Sequence, residues 1–203
     1  VTSEIREMIT DYKVGGIIYF RRNIASIPQI ANLSDELQEL SINGGSGLPL
    51  IISIDQEGGL VNRITEITHF PGNMTLGATK NPELAQQSGK YIALQLKALG
   101  INMDFAPVLD INNNPLNPVI GTRSFGGDPL LVANLGVAFI KGMQGEGVIA
   151  CAKHFPGHGD TDVDSHLALP VIKHKKEHML EVELYPFQQA INSGVDSIMT
   201  AHI

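Results

Sequence analysis

Five short apolar runs recur along the chain: Val14–Phe20, Pro49–Ile54, Ile101–Leu109, Val148–Phe155 and Ser197–Ile203. They are continuously apolar instead of alternating, the pattern of strands buried on both faces. Helical periodicity fills the intervals. Ile5, Met8, Ile9 and Tyr12 mark one apolar face. Ile30, Leu33, Leu37 and Leu40 mark another, opened by Ser26 and Pro28 and closed by Gly44, Gly45 and Gly47. Asn81-Pro82-Glu83 opens a helix through Leu99, with Gly100 closing it. Asp128-Pro129 opens the next, which stops at Gly145 and Gly147. A further helix spans Glu181 to Asn192. Polar caps and first-turn prolines at the starts, with glycines past the ends, are the expected chemistry of helix boundaries. Strands alternating with helices predict a parallel sheet covered by helices, an α/β fold.

Two closures satisfy that pattern, a doubly wound open sheet or a (β/α)₈ TIM-type barrel. The ends of the strands favour the barrel. Each run delivers polar side chains at its C-terminal end: Arg21, Asp55, Asp110, Lys153 with His154, and His202. Barrel enzymes gather their sites in such a ring, whereas a doubly wound sheet concentrates them at one switch point. No GxGxxG or Walker loop occurs. Five strands do not close eight, and three more units would need roughly 100 further residues. Residues 1–203 are therefore expected to be the N-terminal part of a single barrel domain, covering about its first five β/α units.

Charge and composition exclude several partners. A net charge of −7 with no basic run argues against nucleic acid. No apolar run approaches the ~18 residues of a membrane span. Cys151 is the one cysteine, so no internal disulfide forms, and its apolar strand makes it a small core residue. The absence of an initiator Met favours an extracytoplasmic, wall-associated location over a cytoplasmic one. The protein is expected to be a monomer.

The chemistry concentrates in Lys153–Pro170, KHFPGHGDTDVDSHLALP. Asp164 and His166 lie two residues apart, so the carboxylate can fix the imidazole tautomer and raise its pKa, making an acid/base. The bland alternative is a solvated loop pair. Lys153 and His154 are adjacent in a strand and should face opposite sides unless the strand bends. Lys153 suits a Schiff base, hydrogen bonds to hydroxyls, or an ion pair with Asp55 or Asp110. Arg63 and Arg123 can each fork onto a pair of ligand oxygens or pin a loop. Asp160, Asp162 and Asp164 suggest calcium, but Ser165 and Val171 stand where an EF-hand needs Gly and Glu. His158, Asp160 and His166 are candidate metal ligands, yet no HExxH or comparable motif supports them.

Four stretches in order, IDQEGGLVNRI, GTRSFGGDP, KHFPGHGDTDVDSHLALP and MTAHI, resemble glycoside hydrolase family 3, in its β-N-acetylglucosaminidase branch. The resemblance covers essentially the whole chain and implies a (β/α)₈ barrel. It implies His166 as general acid/base with Asp164 as its orienting partner. Asp55, Arg63, Arg123, Lys153 and His154 match the family's sugar-binding positions. The substrate implied is N-acetylglucosamine-containing muropeptides of peptidoglycan, with no cofactor and no metal. The family's aspartate nucleophile lies on a later strand, and no residue here matches it. A phosphorylase of the same glycosides, or a non-catalytic sugar-binding fragment, are the alternative expectations.

Overall fold

A computed structural model describes residues 1–160 and 174–202. Asp162, Asp164 and His166 fall outside the described residues. The chain opens with helix α1 (Ser3–Thr10), strand β1 (Gly16–Tyr19), helix α2 (Ile27–Gly44) and strand β2 (Ile51–Ile54). A small antiparallel hairpin follows, β3 (Gln56–Gly58) with β4 (Val61–Asn62), and then helices α3 (Asn73–Thr79) and α4 (Pro82–Ala98). Strand β5 (Met103–Asp104), helix α5 (Pro129–Gln144) and strand β6 (Ile149–Phe155) come next. The described order ends with α6 (Lys176–Glu181), α7 (Tyr185–Asn192) and β7 (Ser197–Thr200).

The five long-range strands pair in parallel in the order β1-β2-β5-β6-β7, which is their order along the chain. Such sequential winding is that of a barrel wall, and a doubly wound sheet would instead reverse direction. Among the described residues the sheet stays open, with β1 and β7 as its edges. One face is fully covered: Tyr19, Ile52, Ile54, Ala150 and Ala152 pack in one core with Leu37, Leu96, Phe139 and Phe187 from the helices. Each large apolar side chain so buried contributes about 1.5–3 kcal/mol. The other face is less covered. Ile18 and Ile51, on paired strands, remain 45% and 44% exposed, as they would on the inner wall of an unclosed barrel.

The helix starts form as their sequences direct. Ser26 Oγ accepts from Gln29 N at 3.3 Å, Asn81 Oδ1 from Glu83 N at 2.9 Å, and Asp128 Oδ1 from Leu130 N at 3.0 Å. Each cap satisfies an amide that the helix leaves without a partner. Three elements depart from expectation. The strand expected over Ile101–Leu109 is regular only at Met103–Asp104. Beyond it Ala106 O and Pro107 O still accept from Cys151 N and Lys153 N, at 2.9 and 3.1 Å, but Pro107 has no N–H to continue the ladder. The helix expected over Glu181–Asn192 is split. Its second half begins at Tyr185, because Pro186 is tolerated only in a first turn. Helix α3 has neither a side-chain cap nor apolar periodicity, and so carries no helix signal in the sequence.

Candidate active site

The site is built on the segment that leaves β2. Asp55 follows the strand directly, and the β3–β4 hairpin then turns the chain back on itself. Gly58 and Gly59 make the turn at φ +84° and +60°. A Cβ on Gly59 would stand 2.7 Å from Gly72 Cα, so glycine is required there on two counts. Gln56 ties the returning arm: its Oε1 accepts from Arg63 N and Ile64 N at 2.9 and 3.1 Å, and its Nε2 donates to Ile64 O at 3.1 Å. The return brings Arg63 back to Asp55, with Nη2 3.1 Å from Oδ2.

Lys153 is the hub beneath. Its side chain is only 2% exposed, and Nζ lies 2.8 Å from Asp55 Oδ1 and 2.6 Å from Glu57 Oε1. Glu57 also receives Arg123 in a two-pronged pair, Nε to Oε2 at 2.9 Å and Nη2 to Oε1 at 2.7 Å. Burial alone would raise the Asp55 and Glu57 carboxyls. Lys153 outweighs it at Asp55, with Arg63 adding to the effect, and Arg123 and Lys153 outweigh it at Glu57. Both carboxyls are held below the ordinary range. Of the alternatives for Lys153, the ion pair forms, to Asp55 and to Glu57. Asp110 is engaged elsewhere.

Asp110 orients His154. The fully buried carboxylate accepts from His154 Nδ1 at 2.6 Å and from the backbone N–H of His158 at 2.7 Å. Burial opposes ionisation here as well, but the imidazole and the N–H donors outweigh it and lower the pKa. His154 Nε2 then faces Arg123 Nη2 at 3.5 Å. Arginine can only donate, which fixes the Nδ1–H tautomer of the neutral ring. Lys153 and His154 serve one site despite being adjacent. The register between β6 and β7 shifts between Lys153 and Phe155, which bends the strand at that point.

A second layer lies under the hub. Asp104 is fully buried, and its Oδ1 accepts from Gln56 N at 2.9 Å. Burial raises its pKa well above the carboxylate range, and the charges of Glu57 and Asp55 add to that rise. Burial thus favours the protonated form of Asp104, below a cluster in which Asp55 and Glu57 face Arg63, Arg123 and Lys153 while Asp110 faces His154.

These groups open onto a cavity of about 420 Å³, walled by Ile18, Phe20, Phe105, Val119, Met199 and His202 among others. That volume suits a small ligand. A larger cavity, about 570 Å³, adjoins it at Arg123, but is otherwise lined by uncharged side chains and backbone. The chemistry therefore resides in the smaller one.

Asp55, Arg63, Arg123, Lys153 and His154, all expected from sequence, line this single cavity. Asp164 and His166 lie outside the described residues. Arg21 does not join the ring. It sits in a single 3₁₀ turn and donates from Nη1 to Thr65 Oγ1 at 2.9 Å. Asp110 belongs to the ring of polar strand ends expected from sequence, but as the partner of His154 and not of Lys153. Glu57 and Asp104 are site residues the sequence reading does not single out. For Glu57 the signal was present, as one of two acids at a strand end followed by glycines.

Residues 1–203 match the model of the glycosyl hydrolase family 3 N-terminal domain. A beta-hexosaminidase A from Pseudoalteromonas piscicida is 45% identical over 206 residues, covering 98% of this chain and 34% of the relative. The chain superposes with a TM-score of 0.97 on a glycoside hydrolase family 3 beta-N-acetylglucosaminidase from Paenibacillus. Identity there is 55%, over 99% of this chain and 38% of that one. NagZ from Neisseria gonorrhoeae matches with a TM-score of 0.89 at 38% identity, over 100% of this chain and 59% of that one. The chain thus spans between a third and three-fifths of the length of these relatives.

Proposed function

The chain belongs to glycoside hydrolase family 3, and from that premise we propose that the protein is a retaining exo-β-N-acetylglucosaminidase acting on peptidoglycan fragments. In this reading residues 1–203 supply the first five β/α units of the barrel and its sugar-binding half. Later strands supply the aspartate nucleophile.

The observation that carries the reading is the convergence of Asp55, Arg63, Arg123, Lys153 and His154 on one cavity of about 420 Å³. A sugar ring presents hydroxyls that each donate and accept. Asp55 accepts from them, as does Nε2 of His154, whose one N–H is given to Asp110, while Arg63, Arg123 and Lys153 donate to them. Hydrogen bonds to charged groups are worth about 1.5–3 kcal/mol each, which is enough to select one sugar orientation. Glu57, which also faces the cavity, and Asp110 behind it hold Arg123, Lys153 and His154 in place, so these groups need no rearrangement on binding.

Catalysis then proceeds by double displacement. The nucleophile attacks the anomeric carbon while His166, oriented by Asp164, protonates the glycosidic oxygen. The bond to the aglycone breaks and a covalent glycosyl-enzyme forms. His166 next takes a proton from water as it attacks that carbon, and the sugar leaves with its configuration retained. A histidine in place of the usual carboxylic acid means that the acid is cationic and the base neutral. Replacing His166 with Ala is expected to slow substrates with poor leaving groups far more than activated aryl glycosides. Equal losses on both would remove the acid role. A rate that rises with phosphate concentration would reassign the protein as a phosphorylase.

A further inference from the structure

A second group of ligating side chains lies outside the sugar cavity. Asp160 follows the loop after β6, His174 precedes α6, His178 lies within it, and Glu183 sits between α6 and α7. None of the four lines the cavity. His174, His178 and Glu183 each present a ligating atom within 4.8 Å of the others. The two imidazole rings are 4.1 Å apart between centroids. His178 Nε2 is 3.5 Å from Glu183 Oε1, and His174 Nε2 contacts Asp160 Oδ2.

Glu183 decides how to read the group. It is only 2% exposed. Its Oε1 accepts from Asn113 Nδ2 at 3.0 Å, while Oε2 is buried with no hydrogen-bond partner. A buried carboxylate oxygen left bare is costly. Two separate His–carboxylate contacts would leave that oxygen bare and two imidazoles side by side, tilted by 36°, with no shared partner. A single cation among His174, His178 and Glu183 gives that oxygen a partner and both rings a common one.

We propose that His174, His178 and Glu183 form a binding site for a divalent transition-metal ion of the Zn²⁺ class, with Asp160 orienting His174. Two imidazoles and one carboxylate suit Zn²⁺ or Co²⁺ and are a poor match for Mg²⁺ or Ca²⁺, which take oxygen ligands. Tetrahedral bonds of ~2.0–2.1 Å place neighbouring ligand atoms about 3.3 Å apart. The group reaches that spacing by rotation of His174 and His178, whose side chains are 32% and 44% exposed. Through His174 and its partner Asp160, the ion would hold together positions 160 and 174, which bracket the stretch carrying Asp164 and His166. The site itself does not depend on the proposed hydrolysis.

The test uses the intact protein, stripped with chelator and titrated with ZnCl₂ by calorimetry, with zinc per chain counted by elemental analysis. The expected result is one Zn²⁺ per chain, bound at least about tenfold more weakly by His174→Ala and by His178→Ala. Co²⁺ loading should give a tetrahedral visible absorption that both variants lose, and that His154→Ala keeps. Glu183→Gln removes the buried ligand, but the two exposed histidines carry the test if that variant fails to fold. Absence of Zn²⁺ binding overturns the site. So does binding unchanged in both histidine variants, or binding lost only in His154→Ala.

Discussion

Replacing Glu57 with Gln tests the idea that a buried carboxylate clamps the sugar-binding cations. The side chain is 3% exposed and accepts from Arg123 Nε, Arg123 Nη2 and Lys153 Nζ at 2.9, 2.7 and 2.6 Å. Glutamine keeps the shape but offers one acceptor oxygen, and it turns an NH₂ toward a cation that can only donate. Removing one partner of a buried ion pair costs about 3–5 kcal/mol. Lys153 retains Asp55 and one oxygen survives, so the lower end, about 3 kcal/mol, is expected. Equilibrium urea unfolding should show this as a lower midpoint with an unchanged slope. The pH dependence gives a second reading. Because the folded pKa of Glu57 is lowered, its contribution is fully present above the unfolded value of about 4.3. It fades as pH falls through the folded value, so the gap between wild type and variant should narrow toward low pH. A loss under about 1 kcal/mol at neutral pH, the size of an exposed pair, would refute the clamp, as would a gap that widens in acid.

Asp104→Asn tests the buried acid, whose raised pKa means that the folded state keeps its proton to higher pH than the unfolded state does. Wild-type stability should therefore fall as pH rises above about 3.9, and the Asn variant should gain on wild type over that interval; a constant difference across pH in thermal unfolding would contradict this. Gly59→Ala forces a Cβ to 2.7 Å from Gly72 Cα at positive φ, so unfolding should show a loss of about 1–2 kcal/mol or more. Unchanged stability would mean that the hairpin is not held as described. Arg63→Lys keeps the charge but loses the fork. With Arg63 36% exposed, stability should stay within about 1 kcal/mol, while KM for the sugar rises with little change in kcat; a change confined to kcat would contradict a binding role.

Strand ends were the most informative feature of the sequence. Parallel strands that finish in polar residues bring Asp55, Lys153, His154 and His202 to one place, where Arg63 and Arg123 join them from the connecting segments, while Arg21 turns away to Thr65. Helix starts at Ser26, Asn81 and Asp128 were legible because capping is local chemistry. Long-range partnership was not legible in the same way. Nothing local assigns Glu57 to Arg123, 66 residues away, or Asp110 to His154, 44 residues away. Strand alternation also misled at Lys153 and His154, because a register shift depends on the neighbouring strand as well. Asp104 lies hidden inside an apolar run, where only tertiary burial reveals a carboxyl whose pKa is raised.

The central claim is a pocket built for one N-acetylated sugar and completed by later strands. It is tested most directly by turnover of an aryl N-acetyl-β-glucosaminide by the intact protein, with the plain aryl β-glucoside beside it. Strong preference for the N-acetyl sugar is the predicted result. Equal rates, a preference for the plain glucoside, or no turnover of either would contradict it.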